Sequence, residues 1–323
     1  MKTAYITHPA CLKHDMGFGH PETPARLHAV EDQLIASGLM PLLDHHEAML
    51  ATREHLQRVH EPEYVSAIVA LAPAQGMIYL DDDTVMNPHS LNAALYAAGS
   101  AVQAVDLVMS GVCANAFCNI RPPGHHAFAD RSAGFCIFNN VAIAAMHAIA
   151  HHGLQRVAII DFDVHHGDGT EAIFRDDPQV LMCSTFRHPF YPFTGADSGN
   201  DHIVNVPLAE GADGERFRLA VEQRWLPALH AFQPQFVCIS AGFDAHREDD
   251  MGGLALREAD YAWVTERVME IAHRYADDRI VSVLEGGYAL SALGRSASMP
   301  NGPCWSSQRP AGLPSRKLGR NSV

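Results

Sequence analysis

Residues 157–169 leave few folds open. Four consecutive apolar residues, Val157-Ala158-Ile159-Ile160, run directly into Asp161-Phe162-Asp163-Val164-His165-His166-Gly167-Asp168-Gly169. A short apolar run of this kind reads as a buried strand. Side chains of a strand alternate between faces, so Asp161, Asp163 and His165 are expected to point the same way. Glycines then end the strand and let the backbone turn. The carboxyl end of such a strand is where open α/β folds place their chemistry, and two carboxylates with an imidazole form a potential metal-ligand set. The plain alternative is a polar loop of solvated acids and histidines.

Comparable short runs recur at Ala4–Thr7, Asn115–Ile120, Val180–Ser184, Phe236–Ser240 and Ile280–Leu284. Helical patterns lie between them, near residues 22–37, 52–58, 62–71, 90–110, 139–152, 214–231 and 257–275. Alternation of buried strands with helices predicts an α/β domain with a mostly parallel sheet covered on both faces. The chain has 323 residues, 47% of them hydrophobic, enough for one large core. No internal repeat or linker divides residues 1–296, which are expected to form one catalytic domain. From Ala297 to Val323 the composition changes. Pro300, Pro303, Pro310 and Pro314 fall among four basic residues and no acid. That stretch is expected to be a disordered or atypical tail.

The net charge of −14 disfavours nonspecific nucleic-acid binding, so no nucleic-acid partner is expected. Seven cysteines, without a Cys-x-x-Cys, fit a reduced cytoplasmic setting. The amino terminus lacks an apolar signal core, and no apolar run is expected to approach membrane-spanning length. Val141–Ala150 reads as a core helix. Composition leaves the oligomeric state open, and a homo-oligomer is possible.

Four further segments sit just past predicted strands or lead into a helix. Arg121-Pro122-Pro123-Gly124-His125-His126 is a stiff turn presenting tandem imidazoles, which titrate near neutrality and suit acid–base work. Ser240-Ala241-Gly242-Phe243-Asp244-Ala245-His246 puts Asp244 where it can complete a metal site with Asp163 and His165, although an aspartate there is commonly a helix cap. Leu284-Glu285-Gly286-Gly287-Tyr288 brings a phenol that could donate to a developing oxyanion. Gly134-Phe135-Cys136-Ile137-Phe138-Asn139-Asn140 offers Phe135 as an apolar wall.

Together these segments resemble the histone deacetylase family of the arginase–deacetylase superfamily, over roughly residues 5–295. Arg-Pro-Pro-Gly-His-His, Asp-x-Asp-x-His-His-Gly-Asp-Gly and Glu-Gly-Gly-Tyr occur in the family's order and spacing, and His20-Pro21-Glu22-x-Pro24-x-Arg26 also matches. Glu285 before Gly-Gly-Tyr looks like the class II-type enzymes and their bacterial relatives, which include acetylpolyamine amidohydrolases. The resemblance implies a three-layer α/β/α fold with about eight strands. It implies a zinc-dependent amidohydrolase that removes acetyl or similar acyl groups from acyl-lysine, acylated polyamines or small amines. Asp163, His165 and Asp244 match the zinc ligands. His125 and His126 match the catalytic histidines, with His126 as the base toward water. Asp161 and Asp168 match the carboxylates behind them, and Tyr288 the oxyanion-stabilising tyrosine. Gly134, Phe135, Phe190 and Tyr191 fall where the substrate tunnel lies.

Potassium is also implied. Carbonyls of Asp161, Asp163 and His165, with Ser184 and Thr185, match an inner site, and Phe174, Asp177 and Val180 an outer one. Two departures stand out: Phe193 replaces a glycine at the rim, and the pattern stops near Ser296. Two other readings remain. A non-catalytic acyl-amine binding module would keep the pocket without turnover. A manganese ureohydrolase would need more carboxylate ligands. Asp81, Asp82 and Asp83 read as a solvated acidic turn near the rim, or as a clamp for a cationic amine.

Overall fold

In the computed structural model, which describes residues 2–299, the buried runs join one sheet. The strands are β1 (Thr3–Thr7), β2 (Asp44–Glu47), β3 (Ile78–Tyr79), β4 (Val85–Met86), β5 (Asn115–Cys118), β6 (Val157–Asp161), β7 (Val180–Arg187), β8 (Ile203–Leu208), β9 (Phe236–Ala241) and β10 (Ile280–Leu284). Eight of them pair in the order β2-β1-β5-β10-β9-β6-β7-β8, with every pairing parallel. β3 and β4 form a separate antiparallel pair. Central strands are mostly apolar, and every residue of β6, β9 and β10 is buried.

Crossover direction explains the layers. The chain runs from β5 through the helix Asn140–Ala150 to β6, and in the opposite lateral sense from β9 through the helix Glu258–Tyr275 to β10. Right-handed crossovers in opposite senses put those helices on opposite faces. The result is the three-layer α/β/α arrangement. Its consequence for chemistry is direct. β5, β10, β9 and β6 are neighbours, so the loops after them meet at one edge of the sheet although they are far apart in sequence.

Several expectations need correction. Asp161 closes β6, so Asp163 and His165 lie beyond the strand and simple alternation does not govern where they point. β2 and β8 were not expected as strands. The helix Ser90–Met109 is long and apolar enough by length and composition to cross a membrane, contrary to the expectation. It is a core helix instead. Ala93, Ala94, Ala97, Ala98, Ala101 and Val105 are buried in the main core cluster or beside it. Of the tail expected from Ala297, that residue closes the helix Leu290–Ala297, and residues 300–323 lie outside the described residues. This last helix packs closely on the helix Ala25–Ala36, where a Cβ on Gly294 would sit 2.5 Å from the Ala29 carbonyl oxygen. The described cysteines, Cys11, Cys113, Cys118, Cys136, Cys183 and Cys238, are free and buried.

Candidate active site

Loops after β5, β6, β7, β9 and β10 line a cavity of about 280 Å³. His125, His126, Gly134, Phe135, His165, Phe190, Tyr191 and Tyr288 line it. Behind it, Asp163, His165 and Asp244 form a buried group. His165 Nδ1 lies 3.1 Å from Asp163 Oδ1 and 3.2 Å from Asp244 Oδ2. Three groups among the described residues bring metal-ligand atoms within 4.8 Å of one another, and this is the one whose members are all buried.

The donor set fits a divalent cation. Asp163 and Asp244 are two carboxylates removed from water, with one imidazole between them, and charge of that kind is costly without a cation. Burial, reinforced by the charge on Asp163, pushes Asp244 up to about 7. Burial also opposes ionisation of Asp163, but His125 and His165 outweigh it and hold that carboxyl low. His165 is pushed up to about 10, because Asp163 and Asp244 overcome the effect of burial. Two glycines make the room. A Cβ on Gly242 would lie 2.1 Å from Asp163 Oδ2, and one on Gly286 would lie 2.1 Å from Asp244 Oδ2. Gly286→Ala is therefore expected to destabilise the fold by about 1–3 kcal/mol through overpacking. Thermal unfolding measures this; an unchanged Tm would show that the loop has room to yield.

Each of the tandem histidines is held by a carboxylate. His125 Nδ1 bonds Asp161 Oδ2 at 3.0 Å, and His126 Nδ1 bonds Asp168 Oδ1 at 2.8 Å. Their environments push them apart. Burial disfavours charge on His125, but Asp163 and Asp161 outweigh it and raise its pKa well above the usual value. Burial and the nearby His125 bring His126 down to about 4, against the pull of Asp168. Asp161 thus serves His125, and Oδ1 of the same carboxylate accepts the Asp163 backbone N–H at 3.1 Å. His166, despite its place beside His165, turns away and bonds Glu171 Oε2 at 2.7 Å.

Aromatic rings form the walls. Phe190 stacks on His165 at 5.4 Å, with the Arg187 guanidinium 4.0 Å from the Phe190 ring centre. Tyr191 meets His126 edge-on at 5.2 Å. Phe135 lies edge-on between His20, at 4.6 Å, and Tyr288, at 6.1 Å. Phe193 does sit at φ 64°, the left-handed conformation expected of the residue it replaces, with 71% of its surface exposed. Such a conformation costs a non-glycine residue about 1–2 kcal/mol. Of the acidic turn, Asp83 lines the cavity, joined by Asp250 and Met251. Burial and the adjacent Asp81 push Asp83 up to about 6. Asp81 itself caps the turn, accepting from the Asp83 and Thr84 N–H groups and from Ser132.

Several supporting residues escaped sequence reasoning. Glu285 Oε2 accepts the N–H groups of Gly124 and His125 at 2.7 and 3.1 Å, fixing the histidine loop. Asp249 Oδ2 accepts those of Tyr288 and Ala289 at 2.6 and 2.9 Å, fixing the tyrosine loop. Arg26 donates to the carbonyls of Gly287 and Glu285 and lies 5.0 Å from the Tyr288 ring centre. Glu22 joins Arg26 to Arg121. The His-Pro-Glu-x-Pro-x-Arg match was the available signal, but its partners are remote in sequence.

Residues 20–301 match the histone deacetylase domain family. The chain is 38% identical over 312 residues to the histone deacetylase-like amidohydrolase of Pseudomonas aeruginosa, covering 89% of this chain and 82% of that protein. It is 36% identical over 320 residues to human polyamine deacetylase HDAC10, covering 93% of this chain and 47% of that protein. The crystal structure of the HDA15 HD domain superposes with a TM-score of 0.85 at 36% identity, covering 92% of this chain and 86% of that one. A parallel eight-stranded sheet, loops meeting at its carboxyl edge and a match over most of the length agree: this chain belongs to the histone deacetylase family and is an amide-bond hydrolase of the deacetylase type.

Proposed function

We propose that the protein is a zinc-dependent amidohydrolase that removes an acetyl or similar acyl group from a primary amine borne by lysine or a polyamine. The observation that carries this reading is the buried Asp163–His165–Asp244 group, whose carboxylates call for a cation, set behind a cavity lined by His125, His126 and Tyr288. Asp163, His165 and Asp244 would hold the ion. Zinc bound there would supply Lewis acidity toward the amide carbonyl and acidify a water molecule.

The chain's own groups divide the remaining work. His126 is neutral and donates a hydrogen bond from its Nδ1–H to Asp168, so its Nε2 lone pair can accept a proton from the attacking water. His125 is oriented by Asp161, whose carboxylate favours its charged form, so it can stabilise negative charge and give a proton to the leaving amine. Tyr288 keeps its phenol proton and donates to the oxygen that gains charge. Phe135, Phe190 and Tyr191 exclude water around an alkyl stem, and Asp83 and Asp250 at the mouth favour a cationic remainder. The buried group has two carboxylates and one imidazole, which suits one ion and gives no second set for a two-manganese ureohydrolase.

Potassium is the finer part of this reading. Ser184 faces Asp161 in register, and its buried Oγ has no partner among the described residues, so the inner set fits a cation. The outer set fits less well. The Phe174 carbonyl already accepts from the Asp177 N–H and His202 Nε2, and that of Asp177 accepts from the Val180 N–H. No potassium is assigned to Phe174, Asp177 and Val180.

The test is a panel of acyl-lysine peptides and acetylpolyamines, assayed before and after chelation. Turnover is expected to vanish on chelation and to return with zinc. Stoichiometric metal with no turnover on any member would instead favour an acyl-amine binding module.

A further inference from the structure

We propose that Asp106, His147, His151 and His152 form a second metal site, one that takes a divalent transition-metal ion and is separate from the Asp163–His165–Asp244 group. Asp106 lies near the end of the helix Ser90–Met109, and the histidines lie at the end of the helix Asn140–Ala150. Those helix ends lead into the starts of β5 and β6. The cluster therefore sits at the amino-terminal edge of the parallel sheet, the edge opposite the candidate active site.

Four observations support a site. Each residue offers one ligand atom, and those atoms lie within 4.8 Å of one another. His147 and His151 are one helical turn apart with rings stacked at 4.9 Å, so both imidazoles come off one helix face. His152 meets them edge-on at 5.4 and 4.9 Å. Asp106 Oδ1 bonds His147 Nε2 at 2.7 Å and His152 Nε2 at 2.8 Å, so a single carboxylate oxygen gathers two imidazole edges. His147 is buried, Asp106 and His152 are half-buried and His151 is exposed, which gives an ion a way in from solvent. Three imidazoles and a carboxylate suit zinc, nickel or cobalt; magnesium and calcium prefer all-oxygen sets.

Arg58 opposes the ion, and this sharpens the test. Its guanidinium contacts His147 Nδ1 and also Glu54 Oε1. A guanidinium only donates, so His147 Nδ1 is the acceptor there and the ring proton is on Nε2. An ion on Nε2 moves that proton to Nδ1, and Arg58 must then release His147 while keeping Glu54. Removing the guanidinium removes this competition, and the amide oxygen of a glutamine at 58 can accept the Nδ1 proton.

The experiment uses the full chain, stripped with chelator and titrated with Zn²⁺, then with Co²⁺ followed by its visible absorption. The wild type is expected to bind two equivalents. His151→Ala/His152→Ala is expected to bind one, and Asp163→Ala/His165→Ala is expected to bind the other. Arg58→Gln should tighten the second equivalent by about tenfold, the worth of one hydrogen bond to a charged group. If His151→Ala/His152→Ala binds as much metal as the wild type, the second site is wrong, whatever the Asp163→Ala/His165→Ala protein does. A second equivalent weakened by Arg58→Gln would overturn it too. Loss of an equivalent only from Asp163→Ala/His165→Ala would sink the second site and leave the proposed function standing.

Discussion

Tyr288→Phe is expected to lower kcat by about 10²–10³, or roughly 2.7–4 kcal/mol of transition-state stabilisation, with KM and Tm nearly unchanged. The structure makes this substitution a clean one. The Tyr288 main chain is tied to Asp249, its ring lies beside Arg26 and Phe135, and Arg26 grips the carbonyl of Gly287 just before it. None of those contacts uses the phenol oxygen, so phenylalanine keeps the packing and loses only a donor. Burial raises the phenol pKa well above its usual value, against the pull of Arg26. The hydroxyl therefore remains a donor throughout the neutral range. A donor that matters only when the carbonyl oxygen gains charge lowers kcat and kcat/KM together. Steady-state kinetics with a thermal melt would decide it, and a kcat within threefold of wild type would remove Tyr288 from the chemistry.

How much of this was legible follows from where the signals lie. β6, β9 and β10 carry short, mostly apolar runs, and their limits in the structure fall within a residue of those read from sequence. β2 is Asp44-His45-His46-Glu47, with no apolar residue and alternating burial, so nothing in composition marks it. β8 contains Asn205 and Pro207. Proline argues against a central strand, but β8 is the sheet's edge, where a missing N–H is tolerated. The motif residues lie together in the structure, with Asp161 beside His125 and Asp163 beside Asp244. Alternation along the strand suggested a different trio, because it was carried past the end of β6. Asp81, Asp82 and Asp83 read as a solvated turn or as a clamp for a cationic amine; Asp81 takes the turn's hydrogen bonds and leaves Asp83 on the cavity. Glu285 and Asp249 act through backbone N–H groups of remote loops, contacts that no local pattern encodes.

Glu22→Gln is expected to destabilise the protein by about 3–5 kcal/mol, the usual result of removing one partner from a buried ionic group. Glu22, Arg26 and Arg121 are fully buried. Glu22 Oε1 and Oε2 take Arg121 Nε and Nη2 at 2.5 Å each, and Oε1 also takes Arg26 Nη1 at 3.1 Å. Arg121 opens the loop that carries His125 and His126, and Arg26 holds the loop that carries Tyr288. One carboxylate thus ties the two loops together, and glutamine would leave two guanidinium charges buried without a counter-charge. The same group predicts the acid behaviour. Burial opposes ionisation of Glu22, but Arg121, with His14 and Arg26, brings its pKa down to about 2 from 4.5. A depressed folded-state pKa means stability that is complete above the unfolded value and lost as pH falls through the folded one. The contribution, about 3 kcal/mol from that difference, should therefore drain away between about pH 4.5 and pH 2. Urea unfolding across that range should show wild type and Glu22→Gln converging as pH falls. A constant gap between them would mean that the charge of Glu22 is not what holds the two loops.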